Sequence, residues 1–149
     1  MARVKIQLPA VFSFSCQIPV RITDINYGGH VGNDTLLSII HEARMQYFRK
    51  MGYSEMQFAG TGMIMADAAI EFKSELFYGD MVIASVAVGG VSKIGFDLFY
   101  KLETLRQAQG DNMKTVTVAL AKTGMICYDY EKKKIVSVPE EAKMKMGIG

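Results

Sequence analysis

A cluster of glycines directly before a long apolar segment constrains this chain more than any other feature. Three glycines lie within five residues, at Gly28, Gly29 and Gly32, in the stretch DINYGGHVGND. Such density is typical of backbone that adopts positive φ or that a ligand approaches closely. Asn33 or Asp34 is a suitable N-cap for a helix that follows. We therefore expect a loop whose amides and helix dipole can hold an anion or polarise a carbonyl.

The helix after this loop is predicted to cover about residues 34–51 and to end at Gly52. Apolar residues recur there at intervals of three and four, and others lie outside that stripe. The stripe is Leu36, Ile40, Ala43, Tyr47 and Met51, and the others are Leu37, Ile39, Met45 and Phe48. A helix that is apolar on more than one side is usually surrounded by other structure. We expect a sheet to wrap it.

Period-two patterns predict several strands of that sheet, and two more are predicted from a run that is apolar on both faces (81–88) and from a β-branched run (115–128). The main strands are expected over residues 11–23, 63–73, 81–88, 94–102 and 115–128, with a short closing strand at 135–138. In the second strand Ile64, Ala66 and Ala68 are expected on one face. Pro19 indicates an edge position or a bend, and Pro139 can start a terminal helix. This order predicts one α+β domain over residues 1–149, with a helix on an antiparallel sheet whose exposed edge pairs with a second copy.

Composition limits the function classes. Seventeen basic and fifteen acidic residues give a net charge of +2, without the basic stripe of a nucleic-acid-binding protein. Cys16 and Cys127 have no metal-ligand spacing, and His30 and His41 have no ligand set around them, so we expect no metal and no cofactor. Without a signal peptide or an apolar run of about 20 residues, we expect a cytoplasmic protein that does not enter the membrane.

Three short motifs resemble those of the hotdog-fold acyl-CoA thioesterases, in particular the 4-hydroxybenzoyl-CoA thioesterase-like branch. They are TDIN at 23–26, GHV at 29–31 and EAR at 42–44. The similarity extends over about residues 12–142. It implies a hotdog fold, in which an antiparallel sheet of five or six strands wraps one long central helix. It also implies a homodimer or dimer of dimers that binds acyl-CoA at the helix N-terminus, across a subunit interface.

The resemblance assigns the site to the glycine-rich loop. It implies that loop amides polarise the thioester carbonyl while a carboxylate attacks it or activates water. The candidate catalytic residues are Asp24, Asn26, His30 and Asp34, and the candidate substrate-binding residues are Tyr27, Gly28, Gly29, Val31, Gly32 and Asn33. One departure is important, because Asn26 stands where the family has its catalytic aspartate. A neutral amide can orient water or a carbonyl, but it cannot act as a general base.

Three carboxylates remain as candidates for the base, and each has a structural alternative. Asp24 is a base, a turn residue or a partner of Arg21 or Arg44. Asp34 is a base or the helix N-cap, and Glu42 is a base or a structural partner of Arg44. For Asn26 the alternatives are orienting the reactants and stabilising the loop, and for His30 they are donating a hydrogen bond to substrate and holding the loop.

These features support hydrolysis of acyl-CoA thioesters as the first hypothesis. The alternative is a hotdog protein that binds acyl-CoA without cleaving it, because Asn26 replaces the usual aspartate. A hotdog dehydratase or isomerase is a third possibility, which requires a histidine paired with a carboxylate near the carbonyl. The acyl group, the choice between CoA and a carrier protein, and the arrangement of a tetramer do not follow from the sequence.

Overall fold

The computed structural model describes residues 1–148 and confirms the predicted order of one strand, one long helix and four further long strands. The strands are β1 (Phe14–Pro19), β2 (Gly62–Phe72), β3 (Met81–Gly89), β4 (Gly95–Gln107), β5 (Met113–Asp129) and β6 (Lys134–Ile135). The order of the four long strands in the sequence predicts one meander, but only β3, β4 and β5 form it, because β2 lies at the far edge beside β5. The helices are α1 (Asn33–Lys50) and α2 (Glu140–Met146), and a 3-10 turn covers Ile22–Asp24.

All strands belong to one antiparallel sheet, in the order β1-β3-β4-β5-β2, with β6 paired to β5. Pro19 ends the edge strand β1, as its missing N–H predicts. β1 is shorter than expected because Val20 already donates its amide to Asp80 and the chain then turns. The closing strand is also shorter, since the Val138 amide bonds to Lys93 rather than to β5.

A β-bulge in β2 reverses the expected sheet face of the residues before it, so the prediction for Ile64 and Ala66 is wrong. The register against β5 shifts between Met65 and Asp67. Met65 is therefore opposite the buried Met125 on the helix-facing side, and Ile64 and Ala66 do not share the face of Ala68. The carboxylate of Asp67 stabilises the bulge, because its Oδ1 accepts the Gly124 amide at 3.0 Å and the Lys122 ammonium at 2.8 Å. Side-chain periodicity alone does not reveal such an insertion.

The core lies between α1 and the inner face of the sheet. The buried helix residues are Leu36, Ile39, Ile40, Ala43, Arg44, Tyr47 and Phe48. They pack with inner-face residues of the central strands, among them Val82, Val86, Leu98 and Leu102. Full burial of one such apolar side chain contributes about 1.5–3 kcal/mol, so packing on the sheet accounts for the stability of α1.

One edge of the molecule leaves apolar surface uncovered. Within residues 1–148, β2 pairs only with β5, so the other side of this eleven-residue strand carries unpaired backbone groups. Along it Met65 and Phe72 are 47% and 52% exposed, and Leu37 of α1 is 42% exposed. The sheet therefore does not surround α1 in a single copy of the chain. Over residues 1–148, no helix is long and apolar enough to cross a membrane.

Candidate active site at the N-terminus of α1

Asn26 organises the glycine-rich loop. Its side-chain oxygen accepts hydrogen bonds from the amides of Gly28 at 2.9 Å and His30 at 3.4 Å. Its backbone amide donates to the His30 carbonyl at 2.9 Å, and its carbonyl accepts the Gly29 amide at 3.1 Å. Gly29 has a φ of +84°, which the turn requires and which glycine adopts without strain. The loop-stabilising alternative for Asn26 therefore has a direct structural basis.

The same bonds fix the orientation of the Asn26 amide. Because Oδ1 faces the two loop amides, Nδ2 points to the other side, toward Gly32. A carbon placed on Gly32 as Cβ would lie 3.6 Å from this nitrogen. Asn26 thus closes the loop with one atom and presents a hydrogen-bond donor with the other.

The helix begins one residue earlier than expected, and its cap differs from the expectation. The N-cap is Gly32, with φ −70° and ψ 155°, and no side chain bonds to the first turn. Asn33 and Asp34 are the first two helical residues, so neither is the N-cap. Val31 donates its amide to the Leu76 carbonyl at 2.9 Å and thereby fixes the loop in front of the helix. The amides of the first turn consequently point out of the helix without a capping side chain.

Asp34 and Asn26 converge on the space beside Gly32. A Cβ on Gly32 would lie 2.6 Å from Oδ1 of Asp34 and 3.6 Å from Nδ2 of Asn26. A carboxylate and an amide donor are thus near each other and near the open end of α1. This combination provides a proton acceptor, a hydrogen-bond donor and a positive helix dipole in one place.

A cleft of about 360 Å³ opens at this end of the helix. Its walls come from the loop, from α1 and from the segment after β2, and include Gly32, Asn33, Leu36, Phe72, Lys73 and Leu76. Four of the candidate residues line it, namely His30, Val31, Gly32 and Asn33, whereas Asn26 and Asp34 lie beside Gly32 and outside this lining. The cleft combines an apolar wall with a lysine, as a ligand with an apolar and an anionic part requires.

His30 connects the loop to the far side of the cleft. Its Nδ1 lies 3.2 Å from the Val31 carbonyl, and because a carbonyl oxygen only accepts, Nδ1 is the donor in this bond. Its Nε2 lies 3.8 Å from a carboxylate oxygen of Glu75. Tyr27, in contrast, is fully exposed at the tip of the loop. His30 therefore holds the loop, while Tyr27 is free to contact a large ligand.

Asp24 is not part of this cleft. It is 7% exposed, and its Oδ2 accepts the Arg21 amide at 2.8 Å while Oδ1 lies 3.4 Å from the Arg21 guanidinium. The alternative that paired Asp24 with Arg21 is therefore correct. Asp24 contributes to a different groove, between β1 and α1, which Glu42 also lines. Both oxygens of Asp24 are occupied in closing the 3-10 turn.

The expected structural pair of Glu42 and Arg44 is wrong. Glu42 is exposed and accepts a bond from Gln46 at 2.7 Å. Arg44 is 5% exposed and donates to Glu55 at 2.9 Å and to the Tyr100 hydroxyl at 3.3 Å. Burial disfavours the charge, but the bonds with Tyr100 and Glu55 keep the pKa of Arg44 above its ordinary value. Residues two apart on a helix do not face each other, and Glu55 comes from a loop that sequence spacing could not connect to α1.

A single antiparallel sheet packed on one long helix, whose N-terminus carries a glycine loop and an open cleft, defines a hotdog-fold protein. The family model of the Thioesterase-like superfamily matches residues 20–146. The chain therefore belongs to the Thioesterase-like superfamily, a family of thioesterases.

Individual relatives agree with this assignment. The chain is 28% identical over 131 residues to a 1,4-dihydroxy-2-naphthoyl-CoA hydrolase of Microcystis aeruginosa, covering 86% of this chain and 88% of the relative. Its fold matches a 1,4-dihydroxy-2-naphthoyl-CoA thioesterase from Synechocystis with a TM-score of 0.74 at 19% identity, over 90% and 95% of the two chains. A gentisyl-coenzyme A thioesterase matches with a TM-score of 0.74 at 15% identity, over 89% and 99%.

Proposed function

We propose that this protein hydrolyses an acyl-CoA thioester to the free acid and CoA in the cleft at the N-terminus of α1. The observation that carries the proposal is the convergence of the Asp34 carboxylate and the Asn26 amide beside the uncapped first turn of the helix. Membership in a thioesterase family supports it. The relative that acts on 1,4-dihydroxy-2-naphthoyl-CoA suggests that the acyl group is aromatic.

The thioester carbonyl is polarised by the first turn of α1 and by Asn26. The amides of Gly29 and Val31 are already bonded to the Asn26 and Leu76 carbonyls, so most of the loop amides expected to bind the oxyanion are occupied. The amides of Asn33 and Asp34 lie ahead of the first intrahelical bond, which the Leu36 amide makes. Donors placed where negative charge develops accelerate acyl transfer roughly 100- to 1,000-fold each.

Asp34 is the general base in this proposal. It takes a proton from a water molecule while the water oxygen attacks the thioester carbon, giving a tetrahedral oxyanion. When this intermediate collapses, the carbon–sulfur bond breaks, and the CoA sulfur leaves with the electron pair and takes up the proton that Asp34 accepted, which returns Asp34 to the carboxylate. The proposal favours Asp34 over Asp24, because both oxygens of Asp24 bond Arg21. It favours Asp34 over Glu42, because Glu42 lines the groove between β1 and α1 and does not lie beside Gly32.

We propose that the active form of the protein is a homodimer, alone or within a dimer of dimers. Its basis is the long unpaired edge of β2 and the exposed apolar side chains beside it, Met65 and Phe72. Exposed edges and apolar patches of this kind are typical of association surfaces. Cys16 and Cys127 are free thiols, which fits a reducing compartment such as the cytoplasm.

Initial rates of thioester cleavage, followed by the loss of thioester absorbance with short, long and aromatic acyl-CoAs, test this function. We expect turnover of at least one substrate, a kcat at least 100-fold lower in Asp34→Asn, and a kcat within threefold of wild type in Asp24→Asn. The two variants form a matched pair, because each replaces one carboxylate near the loop by its amide. Full activity in Asp34→Asn would exclude Asp34 as the base.

The non-hydrolytic alternative makes a different prediction. It expects saturable acyl-CoA binding by calorimetry, no turnover by the wild-type protein, and weak hydrolysis in Asn26→Asp. In that variant one carboxylate oxygen would keep the bond to the Gly28 amide and the other would replace Nδ2 beside Gly32. The hydrolytic proposal expects Asn26→Asp to change an existing rate and not to create one.

A further inference from the structure

We propose that residues 6–13 form a strap across the outer face of the sheet, and that this strap positions one wall of the cleft through Glu71. The segment, here called the strap, directly precedes β1 and has no regular secondary structure. The inference rests on the proposed function, because it specifies how the cleft is held for substrate binding. Glu71 is a positioning residue, since it acts on the cleft through its neighbours and does not line the cleft itself.

The two ends of the strap lie at opposite edges of the sheet. One end continues into the edge strand β1 at Phe14. At the other end, the Ile6 amide donates a hydrogen bond to Oε2 of Glu71, in the opposite edge strand β2, at 3.1 Å. One row of opposed residues connects these two edges across the sheet, namely Ser15, Ser85, Lys101, Leu120 and Glu71. The strap therefore crosses β3, β4 and β5 between its ends.

The crossing takes place on the face of the sheet opposite α1. Ala119 and Ala121 belong to the core on the helix side, so Leu120 between them points to the outer face, and so does Glu71 opposite Leu120. Four strand spacings amount to about 19 Å, and the eight residue steps from the start of the strap into β1 span at most about 26 Å. This length is sufficient for a direct crossing.

Burial along the strap agrees with an extended segment that lies on a surface. Ile6 and Leu8 are half-buried, whereas Lys5 and Gln7 are exposed. On the sheet side, the side chain of Glu71 is only 15% exposed, although α1 packs on the opposite face. A carboxylate that is largely removed from water requires hydrogen-bond donors. The amide at the start of the strap is such a donor, so the strap and Glu71 stabilise each other.

Glu71 directly precedes the residues that form one wall of the cleft. Phe72 and Lys73 follow it and line the cleft, and Oε1 of Glu71 lies 3.8 Å from the Lys73 ammonium. The pairing with β5 ends at this point, because the amides of Lys73 and Ser74 share the Val118 carbonyl at 2.9 and 3.1 Å. Strand ends of this kind open more easily than strand centres.

The strap holds the end of β2 from the outer face. Its hydrogen bond fixes Glu71, and the chain from Glu71 to Leu76 is short, so movement of the cleft wall is restricted as well. Leu76 in turn accepts the Val31 amide of the glycine-rich loop. A wall that is ordered before the substrate arrives does not have to be ordered during binding, which lowers the free-energy cost of binding. The strap is therefore expected to affect substrate binding and not the chemical step.

The test removes the hydrogen bond from either side in the full-length protein. Ile6→Pro deletes the donor, because proline has no N–H, and Glu71→Leu deletes the acceptor. For the acyl-CoA that the wild type cleaves fastest, we expect each variant to raise KM about 3- to 10-fold, the range for one hydrogen bond, with kcat within twofold of wild type. Hydrogen–deuterium exchange at the amides of Lys73 and Ser74 should be faster by a similar factor. The double variant should show no larger effect than either single variant, because both remove the same bond.

Two control variants separate this role from general damage to the fold. Val4→Pro places a proline in the exposed residues before the strap and should keep the wild-type KM and exchange rates. Glu71→Gln keeps an oxygen that accepts the Ile6 amide and should restore a KM close to that of wild type. Because Ile6 lies outside the core, Ile6→Pro keeps the test decisive if Glu71→Leu does not fold.

The outcomes distinguish this inference from the proposed function. A wild-type KM in Ile6→Pro, or wild-type exchange at Lys73 and Ser74 in that variant, would overturn the inference alone. Absence of turnover with every acyl-CoA would instead refute the proposed function. In that case the exchange rates would still decide whether the strap orders the end of β2.

Discussion

Replacing Gly32 by alanine separates catalysis from stability at the proposed site. The new Cβ would lie 2.6 Å from Oδ1 of Asp34, whereas real Cβ contacts are essentially never shorter than 3.0 Å, so the carboxylate must move by at least 0.4 Å. The methyl group would also occupy the space into which Nδ2 of Asn26 points, at 3.6 Å. A displacement of about 1 Å at a reacting group costs on the order of 100-fold in rate. We therefore expect kcat to fall about 30- to 100-fold.

The fold should tolerate this change. Gly32 has a φ of −70°, which alanine adopts without strain, and alanine in place of glycine at an N-cap costs about 0.5–1 kcal/mol. For a chain of this size, that corresponds to a fall in Tm of roughly 2–4 °C. The assays are thermal unfolding by circular dichroism and steady-state hydrolysis at 25 °C.

A control at a distant glycine completes this experiment. Gly110, in the β4–β5 connection, has a φ of +74°, and a Cβ at this position would meet nothing within 4 Å. Gly110→Ala therefore introduces backbone strain away from the cleft. It should lower Tm by a comparable amount and leave kcat unchanged. A folded Gly32→Ala variant with wild-type kcat and KM would refute the placement of the reaction beside Gly32.

Three further outcomes follow from the structure. Glu55→Gln leaves the buried Arg44 without its charged partner and should lower the free energy of unfolding by about 2–4 kcal/mol in urea titrations. Asp24→Ala removes the bond to the Arg21 amide and should cost about 1 kcal/mol by the same assay, with kcat unchanged. Burial raises the pKa of Cys127 from 9.0 to about 11. The thiol of the unfolded chain therefore loses its proton at a lower pH than the thiol of the folded chain. The stability that the buried thiol contributes below pH 9 is consequently lost as the pH rises to about 11. At about 1.4 kcal/mol per pH unit this loss is about 3 kcal/mol, and a Cys127→Ala variant with the same alkaline loss of stability as wild type would contradict it.

The sequence was sufficient for the order of elements because each element has its own local signal. The spacing of Leu36, Ile40, Ala43 and Tyr47 predicts α1, and these residues are buried. Period-two alternation predicts β4, and a run with apolar residues on both faces predicts β3; their inner faces are the centre of the core. Local patterns do not reveal a β-bulge when the hydrogen bonds that stabilise it come from another strand. The bulge at Met65 and Asp67 depends on the Gly124 amide and Lys122 from β5, far away in the sequence.

The sequence predicted where the site lies, but it predicted less well what each side chain in and near the site does. Glycine density and the helix signal identified the loop, and the structure has the cleft there. The N-cap was assigned to Asn33 or Asp34 because residue type favours them, but the Val31–Leu76 bond makes Gly32 the cap. The partner of Arg44 was unpredictable for a similar reason, since Glu55 reaches it through the fold of a loop.

A crystal structure with a non-hydrolysable thioether analogue of an aromatic acyl-CoA tests the central claim most directly. The proposal predicts that the analogue's carbonyl oxygen accepts hydrogen bonds from amides of the first turn of α1 or from Nδ2 of Asn26, within about 3.2 Å. It also predicts the Asp34 carboxylate within hydrogen-bond distance of a water molecule about 3.5 Å from the carbonyl carbon. A carbonyl bound away from Gly32, with Asp34 directed to solvent, would contradict the account.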